Sequence, residues 1–244
     1  MDWTDSGIVL GTAKHGEAGA IIETMTQRHG RHRGYVRGGA GRRLKGVLQP
    51  GNAVRLAWRA RLEDSLGTFT VELEAAHAAA ALSRPDRLDA LNAACALLVA
   101  ALPEREPHPS VHAGLTAFLE LLAEPSADAV HWAAGLVQLE AGLLKELGYG
   151  LDLTRCAATG QAEELVYVSP KSGRAVSRAA GAPYRDRLFT LPAFLLGAQA
   201  GPPTIADVLD GLTLTGFFLD RQIMTVLGKP LPAARERLID RLSR

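Results

Sequence analysis

Apolar and polar residues alternate strictly in two stretches near the start of the chain. In "VRLAWRARL", Val54, Leu56, Trp58, Ala60 and Leu62 share one face, and Arg55, Ala57, Arg59 and Arg61 share the other. In "TFTVELE", Phe69, Val71 and Leu73 face one way, with Thr68, Thr70, Glu72 and Glu74 opposite. A period of two is what a half-buried antiparallel strand requires. Three earlier short runs, "SGIVLGTA", "AIIETMTQ" and "RHRGYVRG", also read as strands without so clean an alternation, and turn-forming signals such as "LQPGN" and "EDSLG" separate the later ones. Five short strands in so few residues predict a small closed barrel, for which the OB-fold is the natural candidate.

From Leu82 onward the period changes to that of a helix. "SRPDRLDALNAACALLVAALP" carries Leu88, Leu91, Cys95, Leu98 and Leu102 at helical spacing, with Ser83 as candidate N-cap, Pro85 in the first turn and Asp86 at the capping-box position. "SVHAGLTAFLELLAE" and "DAVHWAAGLVQLEAGLLKELGYG" predict two further helices, the second apolar over a wide arc. Residues 151–184 break the pattern as an irregular insert. Helices are then expected in "LPAFLLGAQ", in "TIADVLDGLTLTGFFLDRQIMTVLG", opened by Thr204 and Asp207, and in "PAARERLIDRLSR". The predicted organisation is a barrel over residues 1–80 and a helical domain over residues 81–244, with the insert at about 151–184.

Total charge hides a segregation of sign. Lysine and arginine number 27 against 26 aspartates and glutamates, yet residues 24–62 contain no acid. They carry Arg28, Arg31, Arg33, Arg37, Arg42, Arg43, Lys45, Arg55, Arg59 and Arg61. Residues 81–150 reverse the balance, with nine acids against Arg84, Arg87, Arg105 and Lys145. A window without acids departs from ordinary mixed surfaces and is the electrostatic footprint of a polyanion-binding protein. Arg31, Arg33, Tyr35 and Arg37 occupy alternate positions of the third strand and so project from one face. Guanidinium groups can meet phosphates there while the ring offers a stacking platform. "GGAGRRLKG" adds Arg42, Arg43 and Lys45, read here as a flexible glycine-rich tether.

Other chemistry finds little support. "GGAGRRLKG" lacks the G-x-x-x-x-G-K-[ST] spacing of a phosphate loop. "SPKSG" has no accompanying S-x-x-K motif and reads as a polar turn. His108 and His112 stand at i, i+4 without a third metal ligand nearby, and Cys95 lies on an apolar helix stripe. Two cysteines are too few for a disulfide framework. The start of the chain has no secretory pattern, and the longest apolar run is too short to cross a bilayer, so a cytoplasmic protein with no membrane partner is expected. In "CAATGQAEELVYVSPKSGRAVSRAAG", Cys156 and Thr159 stand in the register of a zinc knuckle, as do Ser177 and Ala180. A zinc site would need four ligands where only Cys156 is present, so packing is expected to hold this insert and no metal or other cofactor is assigned.

The phrases "RHGRHRGYVRGG", "LQPGN", "LEAGLLKELGYGLDLTRCAATG" and "YVSPKSGRAVSRAAGAPY" together resemble the RecO family of bacterial recombination mediators, over essentially the whole chain. The resemblance implies an N-terminal OB-fold and a C-terminal helical domain with a zinc-finger-like insert. It also implies binding of single- and double-stranded DNA, annealing of complementary strands, and cooperation with RecR and the single-stranded-DNA-binding protein (SSB) to load RecA, in the nucleoid. Members with zinc have cysteines at the positions of Cys156, Thr159, Ser177 and Ala180, and this chain departs at three of them. No catalytic residue is implied. The expected DNA contacts are Arg31, Arg33, Tyr35, Arg37, Arg42, Arg43, Lys45, Arg55, Arg59 and Arg61. The acidic, apolar tail of SSB would need an apolar pocket rimmed by a cation, for which Phe217, Phe218 and Arg221 are candidates, with core packing the competing role for the two rings. An RNA-binding OB module in ribosome or transfer-RNA assembly is the alternative, since phosphates are common to both nucleic acids.

Overall fold

The five short runs form five strands in the computed structural model, which describes residues 1–197 and 201–244. They are β1 (Asp2–His15), β2 (Gly19–Thr26), β3 (Gly30–Val36), β4 (Ala53–Arg59) and β5 (Thr68–Ala75). The barrel is closed in the order β1-β2-β3-β5-β4. All neighbours are antiparallel except β3 and β5, which run parallel and pair only at Tyr35–Thr68 and Val36–Phe69. Val9, Ile22, Val36, Val54, Leu56, Trp58 and Phe69 fill the interior. Gly34 permits the closure: a Cβ there would come within 2.3 Å of the Phe69 ring. The expected inward face of β4 is correct for Val54, Leu56 and Trp58. The strand stops at Arg59, however, and Leu62 lies in the β4–β5 turn with 70% of its surface exposed.

Between β3 and β4 the chain makes one helical turn, α1 (Arg42–Lys45). Leu44 packs against the barrel interior, and Leu48 just beyond the turn is buried. The side chain of Asn52 ties down the rest of this connection. Its amide donates to the carbonyls of Gly46 (2.8 Å) and Val47 (3.1 Å), and its oxygen accepts from the Ala78 backbone (3.1 Å).

The helices that follow are α2 (Ala78–Leu82), α3 (Pro85–Ala101), α4 (Pro109–Ala123) and α5 (Ala129–Glu146). The N-cap of α3 is Arg84, without a side-chain cap, and Ser83 instead closes α2. Pro85 and the first-turn acid Asp86 thus supply the start signal. Strand gives way to helix between β5 and α2, whereas the compact units divide elsewhere. One comprises Met1–Pro125 with Pro232–Arg235, and the other Ser126–Leu231 with Glu236–Arg244. In the first, Gly51 (φ +91) approaches Leu91 and Leu119 so closely that a Cβ would sit 2.7 Å from Leu91. Arg87, 4% exposed, donates to the Leu122 and Glu124 carbonyls at the end of α4, where a helix presents unpaired acceptors.

The second unit contains the insert, which is more regular than its sequence pattern predicts. A three-stranded sheet runs in the order β7 (Ala175–Ser177), β6 (Leu165–Val168), β8 (Phe189–Thr190), with one helical turn, α6 (Arg178–Gly181), after β7. Of the helix expected in "LPAFLLGAQ", residues 193–196 form a short 3-10 turn, and Ala198 and Gln199 lie outside the described residues. α7 (Ile205–Leu219) starts with the expected reciprocal cap between Thr204 and Asp207. It packs on α5, where Gly211 makes room for Val137 and Thr215 donates to the buried Glu140. A π turn at Asp220–Met224 leads into α8 (Thr225–Leu227), and α9 (Ala233–Leu242) closes the chain.

Candidate nucleic-acid interface

The basic stretch divides into two sets with different work. The outward side chains of β3 are Arg31, Arg33 and Tyr35, as the alternation requires, with Arg37 just beyond. Arg31 is not a free cation. It pairs with Glu23 on β2, lies 3.7 Å from Glu104, and donates from Nε to the Leu102 carbonyl at 2.8 Å. Only 13% of its side chain is exposed. Burial lowers the guanidinium pKa, Glu104 raises it and Arg33 lowers it again. Arg33 stands 3.8 Å from Glu104 but remains half exposed. Arg28 is likewise engaged, through the buried carboxylate of Asp5, which also accepts from His29. Of the arginines expected to meet phosphate, Arg31 is thus already held in an ion pair, and Arg33 is shared in part with Glu104.

The reason lies in the barrel's closure. β3 meets β5 over two residues only, so its first half lacks a strand partner on that side. The segment between α3 and α4 fills this place. The Arg105 amide donates to the Arg31 carbonyl at 2.7 Å, and Arg31 and Glu104 form an isolated parallel bridge. Arg105 adopts φ +65, and Gly30, also at φ +65, lies against the Glu106 backbone with no room for a Cβ. The Arg105 side chain then reaches the β4–β5 turn, donating to the carbonyls of Glu63 (2.5 Å) and Ser65 (2.9 Å) beside the Asp64 carboxylate (3.4 Å). Nothing local in the sequence signals this clasp; an acid–base–acid triplet between two helices reads as an ordinary solvated turn.

The second set is unencumbered. Arg37, Arg42, Arg43, Lys45, Arg55, Arg59 and Arg61 are exposed and make no ion pair within 4 Å among the described residues. Lys14 on β1, which the sequence pattern does not single out, joins them. Arg42, Arg43 and Lys45 sit on the α1 turn, pinned from beneath by Leu44 and Leu48, so the expected flexible tether is a fixed mount. Arg55, opposite Glu72 on β5, is the least isolated of the set. Arg59 pairs with Thr68, and Thr68 with Tyr35, so the three outward residues form one row across the barrel. Strand spacing places Arg59 and Tyr35 about 10 Å apart. The Tyr35 ring is half-buried over Gly19, where a Cβ would come within 2.3 Å of it, and meets His15 edge-on. Tyr35 thus lies outside the barrel core, on the surface that carries the arginines.

In the second unit, Phe218 is buried and packs with Phe189, so it is a core residue rather than a pocket wall. Phe217 is only half-buried. The Arg221 guanidinium carbon stands 5.9 Å from its ring centre, and Nη1 donates to the Pro170 carbonyl at 3.1 Å. The two residues combine an apolar surface with a cation, held by the π turn.

The insert brings Thr159 and Ser177 to Cys156, but the chemistry there is not that of zinc. Cys156 Sγ accepts the Ser177 backbone N–H at 3.2 Å, and the Cys156 and Ala157 amides donate to Gln161 and Ala175. Burial pushes the thiol up, and hydrogen bonds from Ser177 and Thr159 outweigh it, holding the group at about 6 against an ordinary 9.0. Thr159, Ser177 and Ala180 supply no further thiolate or imidazole, so the residues do not fit a structural zinc ion. No cluster of three His, Cys, Asp or Glu suited to a metal occurs among the described residues, and no described helix is long and apolar enough to cross a membrane.

Residues 1–76 match the family model described as Recombination protein O N terminal, and residues 82–229 match Recombination protein O C terminal. The DNA repair protein RecO of Rhodospirillum rubrum is 49% identical over 245 residues, spanning 100% of this chain and 97% of the relative. Proteins of the same name from Methylocella silvestris and Rhodospirillum centenum are each 50% identical, covering 100% and 99% of this chain and 97% and 94% of the relatives.

Proposed function

The chain belongs to the RecO family of DNA repair proteins, and from that premise we propose that it is a non-enzymatic mediator acting in the cytoplasm on the nucleoid. It binds single- and double-stranded DNA, anneals complementary strands, and with RecR helps load RecA on SSB-coated DNA. The observation that carries the reading is the set of exposed cations without an ion pair among the described residues on α1, β4 and the end of β3, of which Arg59 stands in one row with Tyr35. Two DNA strands repel each other, and cations spread over a convex surface neutralise both backbones while leaving base edges free to pair. Tyr35, in a row with Thr68 and Arg59, offers a stacking face. Arg33 contributes once phosphate displaces it from Glu104. Arg221 over Phe217 is the receptor for the acidic SSB tail, and RecA is reached through the DNA rather than by contact. The RNA-module reading is not favoured, because family similarity continues through the helical half.

A strand-annealing assay on bare and SSB-coated oligonucleotides, with RNA as competitor, tests this. Annealing of coated DNA that resists RNA competition is expected; failure to anneal, or equal competition by RNA, discards it. Arg42→Ala, Arg43→Ala and Lys45→Ala combined should weaken binding to any sequence. The slope of log K against log salt should become shallower by about 0.7 for every single-strand phosphate that the variant no longer neutralises. Unchanged affinity and slope would remove α1 from the interface.

A further inference from the structure

We propose that the cavity beside α1 seats one unpaired nucleotide of a bound strand, its base against Ala40 and Pro50 and its phosphate between Lys14 and Lys45. The inference rests on the DNA-binding reading and adds a pocket to what would otherwise be a convex surface. The cavity measures about 390 Å³, within the range of small-molecule sites and larger than a phosphate alone would need. Its walls include Leu48, Pro50 and Ala40, with the Gln49 amide and the two lysines around them, and no acidic side chain lines it.

The cavity is built rather than incidental. Lys14 comes from β1 and Lys45 from α1; two hydrogen bonds tie the α1 connection to β1 and the turn after it, and a third fixes the Gln49 side chain on α1. Thr12 Oγ1 donates to the Leu48 carbonyl (2.5 Å), the Ala40 amide donates to the Ala18 carbonyl (3.1 Å), and Gln49 Nε2 donates to the Lys45 carbonyl (2.8 Å). Neither lysine has an ion pair among the described residues. Two ammonium groups over an apolar wall match the two ends of a nucleotide, an anionic diester and a flat, largely apolar base. Arg42 and Arg43, on the same turn as Lys45, would receive the backbone on leaving the cavity. A base already paired in a duplex cannot enter, so this pocket selects single strands.

The test uses the full chain and three ligands: a single-stranded oligonucleotide, the same backbone carrying abasic sites, and a duplex. Ala40→Phe fills the cavity without changing its charge. It should weaken single-strand binding roughly fivefold or more, the scale of one seated base, and leave abasic and duplex binding unchanged. Lys14→Ala should weaken both single-stranded ligands and reduce the salt slope by about 0.7. Wild-type affinity of Ala40→Phe for the base-bearing strand, or equal weakening on base-bearing and abasic strands, overturns the proposal. If Ala40→Phe lowers the melting temperature, Lys14→Ala decides alone, and unchanged affinity and slope refute it. Absence of DNA binding by the wild-type chain would instead strike the proposed function itself.

Discussion

The carboxylate of Glu104 stands 3.8 Å from the guanidinium of Arg33, so an acid of the same chain already holds a cation of the proposed interface. Both side chains are partly exposed, at 35% and 47%, so the pair contributes about 0–1 kcal/mol to folding and is open to competition. Glu104→Gln removes the internal competitor. Binding of single strands should tighten a few-fold and the salt slope should steepen by about 0.7, as Arg33 gains a phosphate. A titration at several salt concentrations checks this, and a slope equal to wild type would show that Arg33 faces no nucleic acid.

Arg105 supports the proposed interface through contacts within the chain. Its guanidinium holds the turn that follows Arg61, and its amide completes the pairing of β3. Arg105→Ala leaves the Glu63 and Ser65 carbonyls to water and should cost about 1.5–3 kcal/mol, the range for hydrogen bonds made by a charged group. Urea unfolding measures the change. Affinity for DNA should fall while the salt slope stays constant, because every phosphate keeps its cation; a shallower slope would mean that Arg105 touches the ligand directly.

Cys156 makes the insert sensitive to pH. Its folded pKa, about 6, is depressed relative to an ordinary 9.0. The resulting stability is fully present above the unfolded value, near 9, and is lost as pH falls through about 6. Wild type should therefore gain stability between pH 6 and pH 9 relative to Cys156→Ala, whose profile is flatter over that interval. Urea midpoints of both proteins at the two ends of the interval provide the comparison, and parallel profiles would count against a thiolate in the fold.

Arg221→Ala should abolish or weaken by at least tenfold the binding of a peptide with an acidic, apolar C-terminus, measured by fluorescence anisotropy, since a charge-assisted hydrogen bond contributes about 1.5–3 kcal/mol. Phe217→Ala should do the same, and Phe218→Ala should instead lower the melting temperature, because that ring is core. Full retention by Arg221→Ala would move the tail receptor elsewhere.

What is legible in the sequence follows from period and local chemistry. Val54, Leu56 and Trp58 on one face of β4, the outward set of β3, and the Thr204–Asp207 cap each depend on residues a few positions apart. What is not legible depends on long-range partners. Arg33 reads as free because Glu104, far along the chain, carries no mark of its destination, and Arg31 because its partner Glu23 stands just before the acid-free window, across the β2–β3 hairpin. Likewise Lys14 gains meaning only when α1 folds back beside β1. The turn at α1 is too short to show a period of its own, and it exists because Leu44 and Leu48 find the barrel. Leu62 escapes its expected face because alternation continues for three residues after pairing has stopped. In the insert, hydrogen bonds to one thiol replace a metal, which composition alone excludes but does not describe.

The two-residue junction of β3 with β5 has a consequence for the behaviour of many copies together. A sheet closed so sparingly would offer a ragged rim of donors and acceptors to any neighbour, and chains crowded along one strand of DNA would be prone to join edge to edge. The short peptide from Leu102 to Glu106 covers that rim, and damage to it would show first as poor solubility at high concentration, before any loss of the folded state.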